Sequence, residues 1–491
     1  MTLILKNSTR LAKRVIAGKQ MLQIHFFAAI AAAFLLLQPM AAAAPEESAP
    51  NIVIVIADDF SQLDSEPWGS TGIKTPAITE LAAQGLSFDR AYVASPSCAP
   101  SRAALLTGLM PARNGAESNH ARPRPELRKL PSYLQELGYE TAAFGKVSHY
   151  RHTADYGFDH YAHDGFHDHA GIGAAVQYLE DRDSRDHKPV CLLVGSNWPH
   201  VPWPQQTEGI DTEKLRLPAG SIDTPKTRIW RARYAAAVES ADRDLRTIMD
   251  AAKRHLSRNT IFIFTSDHGA QWPFAKWNLY ESGIRVPMII SWPDRIPSGQ
   301  RSTALISWVD ILPTLVDAAG GSPPAGLDGH SFLPVLMQGR EHHHKQIFAL
   351  HSNDNRMNVY PARSVTELRW KYIRNLHPEN AFTTHIDLVA GKLGQRDFFS
   401  TWEEQAKTNE QAAAILRRYH QRPGEELYDL EQDPFEEHNL ADSPVHRSER
   451  IRLSQTLDFW MAQQGDQQLQ PVTPRLISEP GSWGSAGAVD R

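Results

Sequence analysis

Two short acidic motifs, Asp58-Asp59 and Asp267-His268, each come at the end of an apolar run, Asn51 to Ala57 in the first case and Thr260 to Thr265 in the second. Runs of this kind read as strands buried on both faces, so the carboxylates are delivered by the interior and are poorly explained as solvated surface charge. Burying a carboxylate without a partner is costly, and three clustered carboxylates also repel one another. A divalent cation relieves both problems, and oxygen ligands favour Ca2+, with Mg2+ second. The plainer alternative is that Asp58 and Asp59 cap the turn after the strand, a common role for aspartate.

A candidate nucleophile lies between these motifs, in Ser95-Pro96-Ser97-Cys98-Ala99-Pro100-Ser101-Arg102. A cysteine at a helix N-terminus beside an arginine has a lowered pKa and can act as a thiolate nucleophile. The bland reading is a loop with Pro100 near the start of a helix, where proline is welcome. The other thiol, Cys191, opens the apolar run Cys-Leu-Leu-Val, which reads as a buried strand and argues against pairing it with Cys98.

Strands alternating with helices must position these groups. Strands are expected over 51–57, 139–144, 190–195, 260–265 and 286–291, and helices over 76–85, 102–110, 127–138, 228–255 and 309–319. That alternation implies an α/β fold with a large, mostly parallel sheet flanked by helices, whose ligands bind beyond the carboxyl ends of the strands. Past Tyr360 the texture changes to short aromatic strands (370–374, 427–430) and a last helix over 448–463. This predicts a catalytic domain over 45–360, a smaller C-terminal α+β domain over 361–470 and a disordered tail over 471–491.

Residues 1–44 carry five cationic side chains and no acid, then an apolar core over 26–37 and small residues through Ala44, the pattern of an export signal. The expected location is periplasmic or secreted, without stable membrane association. Removing the leader leaves 46 cations against 56 acids, a net charge of −10 over 447 residues, which excludes a nucleic-acid binder by charge. A few cations focused in a pocket can still hold an anion. The 41% hydrophobic, 22% charged chain with two cysteines is neither a disulfide-stapled miniprotein nor a coiled coil.

Cys98 to Arg102 reads Cys-Ala-Pro-Ser-Arg, and this resembles the Cys-x-Pro-Ser-Arg motif of the type I sulfatases without a mismatch. The resemblance implies an alkaline phosphatase-like fold and conversion of Cys98 by a maturation enzyme to formylglycine, which reacts as its hydrate. It also implies Ca2+ held by Asp58, Asp59, Asp267 and His268, with the modified residue 98 completing the shell; many members carry asparagine where His268 stands. Gly145-Lys146-Val147-Ser148-His149 is similar to the family's Gly-Lys followed by histidine, with the two-residue spacing of the iduronate sulfatase branch. Trp198-Pro199-His200-Val201-Pro202 looks like its Pro-His-x-Pro element, and Lys276 matches the basic residue that faces sulfate. The implied roles are anion binding by Arg102, Lys146 and Lys276, protonation of the leaving group by His200 helped by Lys276, and deprotonation of the second hydrate hydroxyl by His149, which expels sulfate. Arg285, Asp310 to Thr314 and Glu426 to Leu430 are family-like but read as structural.

Tyr360 to Val365, Trp370 to Leu376 and Pro423 to Leu440 resemble the C-terminal domain of heparan N-sulfatase, in which His385 and Asp387 fall on substrate-facing loops. The implied substrate is a glycosaminoglycan-derived sugar carrying sulfate esters or N-sulfamates, N-sulfoglucosamine among them. Alternatives are an O-sulfatase on another sulfated polysaccharide or an aryl sulfate, and a phosphoester or phosphonate hydrolase of the alkaline phosphatase superfamily. A decayed, non-catalytic sugar binder would lack a ligand or the nucleophile, and none is missing. The histidines at 152, 160, 163, 167 and 169 match no zinc spacing, and His342-His343-His344 reads as an inert polar loop.

Overall fold

The computed structural model describes residues 49–163, 165–167, 169–182, 188–354, 356–468 and 475–479. The leader expected over 1–44 lies outside them. So does the tail expected to be disordered from 471, except 475–479, where Leu476 bridges Asn380.

The main sheet has eight strands: β1 (Asn51–Ala57), β2 (Leu86–Phe88), β3 (Glu140–Gly145), β4 (His160–Ala162), β5 (Val190–Gly195), β6 (Thr260–Ser266), β7 (Met288–Ser291) and β8 (Gln300–Ser302). Their spatial order is β4-β3-β5-β1-β6-β7-β2-β8. β7 runs antiparallel to both neighbours, β6 and β2, whereas the other pairings are parallel. The fold is therefore α/β with a mixed, mostly parallel sheet, as the alternation of elements implies. β1 and β5 coincide with the apolar runs because both lie at the centre, buried on each face. Burying Ile52, Val53, Ile54, Val55 and Ile56 contributes roughly 1.5–3 kcal/mol each before chain entropy is counted.

Flanking helices include α1 (Pro76–Gln84), α2 (Cys98–Thr107), α3 (Leu130–Glu136), α4 (Ala170–Asp181), α5 (Pro225–His255) and α6 (Ile311–Ala318). The expected start of α2 at Arg102 is too late: Ser97 is extended and the helix opens on Cys98, with Pro100 tolerated in the first turn. A four-stranded antiparallel sheet follows in chain order, β9 (Ile347–His351), β10 (Ala362–Thr366), β11 (Trp370–Asn375) and β12 (Glu425–Asp429). Its first strand precedes residue 361. Helix α7 (Arg447–Gln464) covers this sheet through Leu453, Leu457 and Trp460, in one apolar cluster with Val365, Tyr372 and Leu427. A buried three-charge cluster joins β11 to the segment between β6 and β7, Lys371 Nζ lying 2.8 Å from both Glu281 and Glu436. Among the described residues no helix is long and apolar enough to cross a membrane.

Candidate active site

Four neighbouring strands end at one level. Parallel pairing sets Ala57 opposite Ser266, and Gly145 opposite Gly195, so β1, β6, β3 and β5 release Asp58-Asp59, Asp267-His268, Lys146 and the loop to His200 along one edge. Glycine is required at the close approach of β3 and β5. Gly145 has φ 69°, and a Cβ there would lie 2.2 Å from the Gly195 carbonyl oxygen. Asp59 also holds a left-handed backbone, φ 69°, a strained state that persists where the surroundings over-determine it.

Helix α2 meets this edge with its first turn, and Cys98 and Arg102, four residues apart, share a face. Arg102 Nε lies 2.9 Å from Asp267 Oδ2 and Nη2 3.2 Å from Asp58 Oδ1, while Nη1 donates to the Lys146 carbonyl. Cys98 Sγ sits 3.2 Å from His268 Nε2, 3.7 Å from Lys146 Nζ and 3.8 Å from Asp58 Oδ1. Lys146 Nζ reaches Asp58 Oδ2 at 2.5 Å, and Lys276 Nζ lies 2.8 Å from both Asp59 oxygens. None of these eight residues is more than 2% exposed. The structure therefore brings Asp58, Asp59, Cys98, Arg102, Lys146, Asp267, His268 and Lys276 into one cluster.

The donor set fits a divalent cation. His268 Nδ1 faces the Gly269 carbonyl at 3.0 Å and must carry the proton there, because a carbonyl only accepts. With Nδ1 so bonded, His268 Nε2 points towards Asp59 Oδ1 at 3.4 Å and Asp267 Oδ2 at 3.5 Å. Carboxylate oxygens and a ring nitrogen converging in this way are the donor set that a divalent cation takes. Asp58, Asp59, Cys98 and His268 each place a ligand atom within 4.8 Å of the others.

The nucleophile reads differently in the folded chain than in the sequence. Burial, the largest influence, pushes the Cys98 thiol well above its ordinary value, with Lys146 and Lys276 opposing it. The expected activated thiolate is corrected accordingly: the helix N-terminus and arginine are present, but desolvation outweighs them. Cys98 and Cys191 are both free and buried, as the sequence implies.

His149 is buried and His200 nearly so. His200 Nδ1 faces the Val201 carbonyl at 2.6 Å, between the cis peptides Trp198-Pro199 and Val201-Pro202. His149 Nε2 meets His120 Nδ1 at 2.7 Å. His385 stacks on Trp277, next to Lys276, with ring centroids 5.2 Å apart. Asp387, expected on a substrate-facing loop, instead points inward. It accepts from Thr384 N at 2.6 Å and Tyr419 Oη at 2.9 Å, and burial pushes its carboxyl up to about 7. His344, expected to be inert, lies 2.9 Å from both carboxylate oxygens of the buried Asp310. Among the described residues the histidine-rich stretch over 152–169 forms no metal-ligand group. Sequence reasoning missed His120, Asn119 and Asp354, loop residues whose isolated occurrence carries no periodic signal.

Depressed histidines make stability pH-dependent. Burial, then His120 and Lys146, holds His149 well below the imidazole value, and burial, then Lys146 and Lys276, does the same for His200. Burial pulls His351 and His420 down to about 4. All four stay neutral when folded but titrate near 6.5 when unfolded, so their contribution is complete above about pH 6.5 and is lost as pH falls towards 4. Each costs up to about 1.4 kcal/mol per pH unit in that window. The urea midpoint is expected to fall steeply between pH 6.5 and 4; a flat midpoint there contradicts the assignment.

Comparison with known proteins follows the same residues. A family model described as Sulfatase matches residues 50–322, and one described as N-sulphoglucosamine sulphohydrolase, C-terminal, matches residues 268–390. An ulvan-active sulfatase of Formosa agariphila is 32% identical over 426 residues, covering 85% of this chain and 81% of that protein. The N-sulphoglucosamine sulphohydrolase of Homo sapiens is 27% identical over 489 residues, 88% and 92% of the two chains. A structure solved in complex with its substrate D-glucosamine-2-N,6-O-disulfate superposes with a TM-score of 0.66 at 20% identity, over 87% of this chain and 100% of that one.

Proposed function

The chain belongs to the sulfatase family, and from that premise we propose that it hydrolyses sulfate esters or N-sulfamates of glycosaminoglycan-like sugars, with a terminal N-sulfoglucosamine as the preferred substrate. The observation that carries this reading is the charge balance of the buried cluster. Three carboxylates, Asp58, Asp59 and Asp267, stand against three cations, Arg102, Lys146 and Lys276, which sums to zero. A Ca2+ ion held by Asp58, Asp59, Asp267, His268 and the side chain at 98 makes the pocket doubly positive, the field that an anionic sulfate group requires. When bound, the ion supplies Lewis-acid polarisation of the sulfate oxygens.

The remaining roles fall to the chain's own groups. Cys98, converted to formylglycine by a maturation enzyme, presents the attacking hydroxyl. Arg102 and Lys146 hold that side chain from the helix and strand sides. Lys276 keeps its proton: burial works to lower its pKa, but Asp59, Cys98 and Asp58 together outweigh burial and raise it. His200 is neutral at rest, held so first by burial and then by Lys146 and Lys276; an anionic substrate counters the two lysines and favours its taking up from water the proton that the leaving group needs. The similarity of residues 268–390 to the N-sulphoglucosamine sulphohydrolase C-terminal model supports the N-sulfo preference. Export through the 1–44 leader is part of the same reading.

Sulfate release measured on matched N-sulfated and O-sulfated glucosamines tests the substrate. Faster release from the N-sulfated sugar is expected; turnover of O-sulfated sugars alone removes the sulfamidase part. Phosphatase or phosphonate hydrolase activity well above sulfate release overturns the reading as a whole. The mass of the peptide carrying residue 98 in active protein is expected to be that of the aldehyde rather than the thiol.

A further inference from the structure

We propose that Asp354 and His120 are positioning residues that lock His149 as its Nε2–H tautomer, leaving the Nδ1 lone pair free to take a proton from a hydroxyl presented at position 98. The proton-accepting role rests on the sulfatase reading above; the tautomer rests on the hydrogen bonds to an ionised Asp354 and a neutral His120.

The chain of bonds begins at a buried carboxylate. Asp354, 7% exposed, takes Asn119 Nδ2 on Oδ2 at 3.0 Å and His120 Nε2 on Oδ1 at 3.1 Å. Burial works to raise its pKa, but the bonds from His120 and Asn119 and the nearby His385 hold it far below the usual carboxylate range, so it is ionised. An ionised carboxylate only accepts. Bonded through Nε2 to that acceptor, His120 in its neutral form turns a lone pair at Nδ1 towards His149. At 2.7 Å that contact holds one proton, and with His120 neutral His149 Nε2 supplies it. What remains on His149 is an unprotonated Nδ1, buried and without a hydrogen-bond partner among the described residues. An orphaned buried acceptor is costly to keep in a folded protein and marks a group awaiting a donor.

Two further features indicate that the relay is built for this purpose. His120 holds a left-handed backbone, φ 67°, which places a side chain that is 41% exposed between the buried His149 and solvent. Strain of that kind is retained where geometry matters. Asn119 also accepts from Ala99 N at 3.0 Å. One carboxylate, 235 residues away in sequence from Asn119, thus orients both His149 and the peptide adjoining residue 98. The arrangement has the logic of any base whose second nitrogen is anchored by an acceptor.

Histidine-15N NMR on the full chain tests the tautomer without relying on turnover, with the His149 signals assigned from His149→Gln. The wild type is expected to show an unprotonated Nδ1 and a protonated Nε2 on His149. His120→Phe, which fills the same space but offers no acceptor, is expected to shift His149 towards the other tautomer, and His120→Gln, which keeps an acceptor oxygen, to restore the wild-type pattern. With 4-nitrophenyl sulfate as probe, kcat is expected to fall roughly 10- to 100-fold in His120→Phe and in Asp354→Asn with KM little changed, the scale of a mispositioned general base. Should His120→Phe fail to fold, Asp354→Asn decides alone. A protonated Nδ1 in the wild type, or variants that keep both tautomer and kcat, overturns the relay. A wild type that shows the tautomer yet releases no sulfate from any sulfated probe overturns the sulfatase reading and the proton-accepting role with it, but leaves the hydrogen-bonded lock in place.

Discussion

Replacing Cys98 with alanine is expected to lower sulfate release on the order of a million-fold, the scale seen when an enzyme's nucleophile is deleted. The side chain at 98 touches His268, Lys146 and Asp58, and none of these partners can replace it as a hydroxyl nucleophile. The thiol is small, so its removal leaves a small cavity costing about 1 kcal/mol, and the variant remains folded. Loss of activity with an almost unchanged melting temperature is therefore the expected pair of results. Serine sharpens the test, because a serine hydroxyl can take the sulfuryl group but has no second hydroxyl with which to expel it. Cys98→Ser is expected to release one equivalent of alcohol, gain the mass of one sulfuryl group and stop. Full turnover by either variant overturns the mechanism.

Arg102→Ala is expected to cost about 3–5 kcal/mol, the penalty for leaving buried charges unpaired. The guanidinium meets Asp58 and Asp267 and caps the Lys146 carbonyl from a position 1% exposed. Without it the cluster is one positive charge short, and burial keeps water from compensating. A loss of this size is a large fraction of the stability of an ordinary domain. The same argument predicts a second effect of opposite sign. The variant site is more negative, so Ca2+ is held more tightly, and the rise in melting temperature on adding Ca2+ is expected to exceed that of the wild type. Thermal unfolding with and without Ca2+ measures both. Equal Ca2+ shifts in the two proteins contradict the placement of the ion among these carboxylates.

How far the sequence disclosed this arrangement depended on the kind of residue. β1 and β5 were legible from end to end because strands buried on both faces are continuously apolar. Helix α2 was less so: Pro100 suggested a later start, whereas the extended Ser97 begins it at Cys98. Cys98, Arg102, Asp58, Asp59, Asp267 and Lys276 could be singled out because short motifs or strand ends carry them, and the fold gathers them. The direction of Cys98 titration could not be read, since it depends on burial that only tertiary packing decides. Asp387 misled for a related reason: a polar residue in a loop gives no sign of which way it faces, and here Thr384 and Tyr419 turn it inward. The relay through His120 and Asp354 is least visible, because it joins separate loops and no spacing rule connects them.

The distance along the chain between Cys98 and His268 carries one more consequence. Their contact spans 170 residues, so a ribosome that adds 5–20 residues per second leaves roughly ten to thirty seconds between the emergence of the two. During that interval strand β6 does not yet exist, and the side chain at 98 is open to anything in the cell. Once β6 docks against β1, it is 1% exposed. Chemistry performed on it by another macromolecule is thus favoured before β6 docks, and a pause in translation before codon 260 would lengthen that opportunity.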